Sequence, residues 1–290
     1  MRIGVSAYSY YKLIGAGKME LIDTIEAAKE TGFDIIEFIT LPGETKEERL
    51  ELARTLKERA AEVGIEINAY AVGAELLYGG ATKNVADEVA KLKEEVEIAQ
   101  ALGVDRMRHD VAHGIDYEQD PGANYFTVLD RLAEPVREVT EFAAERGIKT
   151  MTENHGFFSQ DSDRVEALIE AVDHPNFGAL VDMGNFLCAD EDPVSAVDRL
   201  LSYAFHVHAK DFIFKAGQEI SPGAGWITTR SANYLRGTVI GHGVVPVYHV
   251  VQMLKHRGYS GDLSIEFEGW EDPSEAIPAS YAYLRSCLGD

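Results

Sequence analysis

A short phrase recurs along this chain: a helical pattern closes on glycine, an apolar residue follows, and a β-rich run begins. It appears as TGFDIIEFI around Gly32, VGIEINAYAV around Gly64, LGVDRMRHDV around Gly103, RGIKTMTE around Gly147 and RGYSGDLSIEFE around Gly258. Glycine enters the left-handed conformation that ends a helix without steric cost, so each phrase marks a helix handing over to a strand. RIGVSAY near residue 3, NFGALVDMG near 178 and YAFHVHAK near 205 bring the candidate strands to eight, and helical patterns such as ETKEERLELARTLKERAAEV fill most of the gaps. Strands alternating with helices imply a parallel sheet, and eight of them in roughly 250 residues predict an α/β chain closed into a (β/α)8 barrel. A doubly wound sheet is the alternative, but no G-x-G-x-x-G turn follows the first strand.

No linker rich in Pro, Gly and Ser divides the chain, so residues 1–290 are expected to form one domain. One segment breaks the rhythm: from about 211 to 245 no helical period is sustained, and a stretch this long predicts an active-site lid or a partner surface. Its Trp226, Tyr234 and Phe214 argue for order. Against 49 Asp and Glu stand 27 Lys and Arg, a net charge of −22 that repels nucleic acid and anionic membranes. Cys188 and Cys287 form no disulfide framework and nothing between them resembles a zinc knuckle. With no apolar signal core or membrane span, the expectation is a cytoplasmic enzyme or binding protein.

Chemistry in such a barrel sits at the C-terminal ends of the strands. The fifth to eighth candidate strands end TMTENHG, LVDMGN, FHVHAKD and SIEFEG, placing Glu153, Asp182, His208 and Glu266 at one level. A lone carboxylate at a strand end is usually a cap or a surface ion pair. Three converging carboxylates without a cation would raise one another's pKa and cost stability, whereas a divalent ion resolves the repulsion. Three oxygens and one imidazole suit manganese first, with cobalt, zinc or magnesium as alternatives, and an octahedral ion would keep two positions open for substrate oxygens. His206, two residues before His208, faces the same way one layer deeper and reads as a hydrogen-bonded core histidine or a support for the ligand. Glu268 competes with Glu266 but lies two residues further toward the loop.

At these residues the chain resembles the xylose-isomerase-like TIM barrels, the superfamily of sugar phosphate isomerases and epimerases and AP endonuclease family 2. The resemblance runs from GVSAYSYY through GFDIIEF, ENHG, VDMGN, HVHAKD and SIEFEG. It implies that Glu153, Asp182, His208 and Glu266 are metal ligands and that Glu153 and Glu266 are catalytic, moving a proton on and off carbon beside a metal-bound carbonyl through an enediolate. The implied activity is a sugar or keto-sugar isomerase or epimerase. The chain departs from the ketose 3-epimerase pattern at Asn185 and Phe214, where that subgroup carries a histidine and an arginine that contact sugar hydroxyls. RHDVAHG, ENHGFFSQDS and GWITTRSANYLRGTVIGHG look closer to the metal-binding subunits of C-glycoside deglycosidases. That likeness implies a lyase acting on 3-oxo-glycosides, with His155 as the base for the sugar C2 proton. It also implies a small second subunit, or a homo-oligomer, as a partner.

Substrate contacts are expected from Asn185, Glu37 at the end of the second strand, His109 after the fourth, and Lys210 and Asp211 past His208. Asp110 and His113 are weaker candidates beside His109. Arg230 and Arg236 on the long loop either reach an anionic substrate or pair internally. A DNA-repair endonuclease would draw on His109, His113 and Asp211 for further metals, but the charge opposes DNA. A non-catalytic assembly subunit is opposed by the complete ligand set.

Overall fold

In the computed structural model, which describes residues 1–218 and 220–289, the five glycines of the recurring phrase all have left-handed backbone, with φ from 72° at Gly147 to 106° at Gly32. Each therefore ends its helix where the sequence predicts. The handover into NFGALVD has no such glycine, and Asp173 takes the left-handed position there at φ 46°.

Eight parallel strands close into a barrel: β1 (Ile3–Ser6), β2 (Ile35–Ile39), β3 (Glu66–Val72), β4 (Arg106–His109), β5 (Lys149–Glu153), β6 (Phe177–Asp182), β7 (Ala204–Ala209) and β11 (Leu263–Ile265), with β11 lying between β7 and β1. Around them run α2 (Asp23–Thr31), α3 (Lys46–Val63), α4 (Val85–Leu102), α5 (Leu129–Ala144), α6 (Ser162–Val172), α7 (Pro193–Leu200), α8 (Val247–His256) and α9 (Pro273–Leu288); the short α1 (Tyr11–Gly15) follows β1. Strands covered on both faces have no solvent side, so IGVS and FGALVD are buried along their whole length rather than alternating. Starts are capped as the composition suggests: Thr45 and Glu48 form a reciprocal capping box on α3, and Asp192 and Asp272 cap α7 and α9 ahead of a proline.

The 211–245 segment, of which residue 219 lies outside the described residues, is an antiparallel sheet rather than an irregular excursion. Its strands are β8 (Asp211–Lys215), β9 (Ile227–Thr228) and β10 (Tyr234–Thr238), in the order β8-β10-β9. β8 follows β7 after the single residue Lys210, so the sheet springs directly from the C-terminal end of the barrel. Arg230 pairs with Asp161 and donates to the Phe157 carbonyl, while Arg236 lies over the rings of Trp226 and Trp270. Both arginines are engaged within the protein. Cys188 and Cys287 are buried and unpaired, and no helix among the described residues is long and apolar enough to cross a membrane.

Candidate active site

Barrel closure brings Glu153 from the end of β5, Asp182 from β6, His208 from β7 and Glu266 just past β11 to one point. One ligand atom from each lies within 4.8 Å of all the others. His208 Nδ1 stands 3.9 Å from Glu153 Oε1, 3.9 Å from Asp182 Oδ2 and 3.7 Å from Glu266 Oε2. A single ion bound at about 2.0–2.2 Å spans such gaps.

The surroundings of each group fit a cation. Asp182 Oδ1 accepts the Gly184 and Asn185 backbone N–H groups at 2.7 and 2.8 Å, while its buried Oδ2 has no hydrogen-bond partner. His208 Nδ1 is likewise buried without a hydrogen bond. Burial pushes the Asp182 carboxyl up to about 6; Lys210 opposes the rise, and Glu153 and Glu266 add to it. Crowding of like charges in a dry site is what a divalent ion relieves.

Beneath this group, Glu37 joins the two histidines. Its Oε1 meets His208 Nε2 at 2.6 Å and its Oε2 meets His206 Nε2 at 2.8 Å; His206 Nε2 also lies 3.1 Å from Ser264 Oγ. Burial would raise the Glu37 carboxyl, but His208 and His206 outweigh it and hold it low, so it is ionised. An ionised carboxylate only accepts hydrogen bonds, so His206 carries its proton on Nε2, while the approach of Glu37 to His208 Nε2 is an ion-pair contact and neither ring nitrogen of His208 has a hydrogen bond. Burial alone would lower the His208 pKa; Glu37 and Glu266 instead hold it well above its ordinary value. Glu37, expected to touch substrate, is a buried support for His208, and His206 is a hydrogen-bonded buried histidine.

Of the other expected contacts, Asn185 and Lys210 lie against the candidate ligands. Asn185 Nδ2 donates to Glu153 Oε1 at 3.0 Å and its Oδ1 accepts from Lys210 Nζ at 3.2 Å. The Lys210 ammonium also reaches Glu266 at 2.5 Å, Glu268 at 3.0 Å and Asp182 at 3.5 Å; burial would lower its pKa, but Asp182 and Glu266 keep it well above its usual value. His109 turns away: it is fully buried, its Nδ1 lies 2.8 Å from the Asp110 carbonyl oxygen and its ring stacks near Phe177. Asp211 is occupied too, its carboxylate accepting the backbone N–H groups of Phe212, Gly241, Gly243 and Val245. His109 Nδ1 and the Asp211 carboxylate are thus engaged within the protein.

Above the ligands opens a cavity of about 260 Å³ lined by Tyr8, Thr40, Arg108, His155, Lys210 and Glu268 together with Glu153, His208 and Glu266. Arg108 was missed in the sequence. Its Nη2 lies 2.7 Å from Glu153 Oε2 and 2.8 Å from Asp110 Oδ1, and its Nη1 donates to the Val72 carbonyl at 3.3 Å. The signal was present: RMRH places arginines two apart on one face of a barrel strand, where a buried cation needs a buried anion. His155, on the turn after β5, is half-exposed at the cavity wall with Nδ1 3.1 Å from Asp110 Oδ1. Its hydrogen bond to Asp110 raises its pKa against the effect of burial.

The family model described as xylose isomerase-like TIM barrel matches residues 25–287. Among curated proteins the chain is similar to an inosose dehydratase of Mesomycoplasma hyopneumoniae strain J, 31% identical over 180 residues that cover 57% of each protein. It thus spans little more than half the length of that relative. Among solved structures it is similar to a D-psicose 3-epimerase from Clostridium cellulolyticum H10, with TM-score 0.73, 19% identity and 99% of each chain covered. A 3-keto-D-glucoside 4-epimerase from E. coli superposes with TM-score 0.71, 15% identity, and 99% of this chain and 100% of that one covered. At these identities the solved structures speak for the fold.

Proposed function

This chain belongs to the xylose isomerase-like TIM barrels, and from that premise we propose that it is a divalent-metal-dependent lyase acting on a keto-sugar or keto-cyclitol. The reaction proposed is removal of a proton beside the carbonyl followed by loss of the substituent on the next carbon. Glu153, Asp182, His208 and Glu266 would hold the ion, which when bound supplies a Lewis acid for the substrate carbonyl.

One observation carries the preference for elimination. Both oxygens of Glu153 are engaged, Oε1 by Asn185 and Oε2 by Arg108, and Glu266 is held by Lys210. Carboxylates restrained in this way suit ligation better than a two-base epimerisation, in which each must move a proton on its own face of one carbon. His155 engages the protein through Nδ1, which leaves Nε2 as the proton acceptor. As the C–H pair becomes the new double bond, the bond to the β oxygen breaks, and the proton taken by His155 is returned to that oxygen when both lie on one face. Lys210 balances the carboxylates and Asn185 orients Glu153. The β8–β10–β9 sheet, pinned by Arg230 to the turn that carries His155, would cover the site and exclude water.

The inosose dehydratase relative supports this reading by its elimination chemistry, and the epimerase neighbours support the shared first step. Isomerisation or epimerisation is the second reading, favoured by Glu266, which reaches the cavity wall and offers a second carboxylate. The test is incubation of the metal-loaded protein in D2O with a keto-inositol, a 3-oxo-glucoside and D-fructose. Deuterium uptake beside the carbonyl with growth of enone absorbance and release of water or aglycone supports the lyase. A stereoisomer with nothing released supports the epimerase, and no exchange with any of the three sinks both.

A further inference from the structure

We infer that Asp110 is a positioning residue that keeps the proton of His155 on Nδ1 and so turns the Nε2 lone pair into the cavity, and that Arg108 holds Asp110 in place for this task. The inference rests on the role proposed for His155 and deepens it.

Geometry makes the tautomer a matter of counting donors. Asp110 Oδ1 receives Arg108 Nη2 at 2.8 Å and His155 Nδ1 at 3.1 Å. A guanidinium can only donate and an ionised carboxylate can only accept. The proton between Asp110 and His155 therefore belongs to the imidazole, on Nδ1, and the opposite nitrogen is the one left to face substrate. Asp110 is itself fixed, because its backbone N–H donates to the Val72 carbonyl at 3.2 Å, the same oxygen that Arg108 Nη1 reaches. The pair is anchored twice to the end of β3.

His155 needs such a partner because its backbone is held while its ring is not. The turn is set by left-handed Gly156 and Phe157, by a bridge between His155 and Ser159, and by the Phe157 N–H donating to Gln160 Oε1 at 2.6 Å. The imidazole, 49% exposed, has the Asp110 contact as its polar restraint. Removal of that contact would free the ring to rotate and to exchange tautomers. Because Arg108 Nη2 also lies 2.7 Å from Glu153 Oε2, one guanidinium sets both the proposed base and a proposed ligand. The separation between base and ligand is then built into β4.

The experiment is ¹H–¹⁵N long-range NMR on the full chain loaded with Mg²⁺ or Zn²⁺ and labelled with ¹⁵N-histidine, with His155 assigned by its loss in His155→Gln. The wild type should show His155 protonated on Nδ1. Asp110→Ala should shift it toward the Nε2-protonated form and lower kcat about 100-fold with KM changed less than about threefold. Metal affinity should stay within about threefold of wild type. Asp110→Asn should restore the tautomer and most of kcat, since Arg108 fixes the amide oxygen where Oδ1 stood; it also serves as the test should Asp110→Ala fail to fold. A wild-type His155 protonated on Nε2, a tautomer unmoved in Asp110→Ala, or a loss of metal binding matching the loss of kcat would each overturn the inference. The tautomer is read without substrate, so failure of the proposed reaction leaves this result separately legible.

Discussion

Glu37 divides its two oxygens between His208 and His206, and this division explains why a carboxylate belongs in the middle of β2. Either oxygen of a carboxylate accepts, so Glu37 can face an Nε2–H on both histidines, whose Nδ1 atoms have no hydrogen bond. In Glu37→Gln one of the two contacts becomes an amide N–H facing an imidazole N–H, and a ring must flip or take its proton on Nδ1, where it competes with a metal. Partners of this kind are worth about 10- to 100-fold in metal affinity. Glu37→Gln is therefore expected to weaken Mn²⁺ or Zn²⁺ binding by about that factor in chelator competition with the fold retained; unchanged affinity would remove Glu37 from the metal site. The four strand-end candidates that the barrel brings together were legible in the sequence because each sits at the polar boundary of an apolar run. The partners of Glu37 and Arg108 were not legible because they lie across the lumen or on a neighbouring strand, and barrel closure rather than local pattern decides those contacts.

At the scale of elements, the glycine phrase reports a local event, the left-handed end of a helix, and local events are what a sequence shows most directly. Five of the eight barrel strands were visible for that reason, and the other three stood out as apolar, β-rich runs. The β8–β10–β9 sheet was not, since Asp211 pairs with Thr238 and Lys215 with Tyr234, a hairpin whose intervening segment hides its register. What fixes its return is Asp211: Oδ1 takes the Phe212 and Val245 amides and Oδ2 takes those of Gly241 and Gly243. Asp211→Ala should leave these amides without their acceptor and cost about 2–4 kcal/mol, with Asp211→Asn intermediate because one oxygen remains. Hydrogen exchange over 239–245 should accelerate in both, most in the alanine variant, while metal affinity changes little. Protection equal to wild type in Asp211→Ala would show that the loop is held by its apolar packing instead.

Seen along its axis, the whole barrel is threaded by buried ionisable layers: the metal-ligand candidates above, Glu37 with the two histidines in the middle, and a lowest layer around Asp262. Asp262 lies beside the seam where β1 meets β11, and it joins Arg2 through two hydrogen bonds of 2.9 and 3.0 Å, Asn68 at 3.3 Å and Arg106 at 3.6 Å. Burial would raise its carboxyl, but Arg2 outweighs burial and lowers it. A carboxyl lowered in the folded state binds its proton less readily there than in the unfolded chain, so its stabilisation is complete above the unfolded value near 3.9 and is lost as pH falls through the folded one. Breaking a buried pair costs several kcal/mol, but Arg2 is 42% exposed and solvent discounts its share. Asp262→Asn is then expected to destabilise the protein by about 1–2 kcal/mol at pH 7, a fall of about 2–8 °C in Tm for a chain of this size. The gap between variant and wild type should hold from pH 7 to about pH 5 and close as the pH is taken through 4 toward 3, because the wild type progressively loses what the variant already lacks. Thermal melts of the two proteins across that range decide the matter: a gap that stays constant into acid would mean that Asp262 closes the seam through its shape and hydrogen bonds, with its charge contributing nothing.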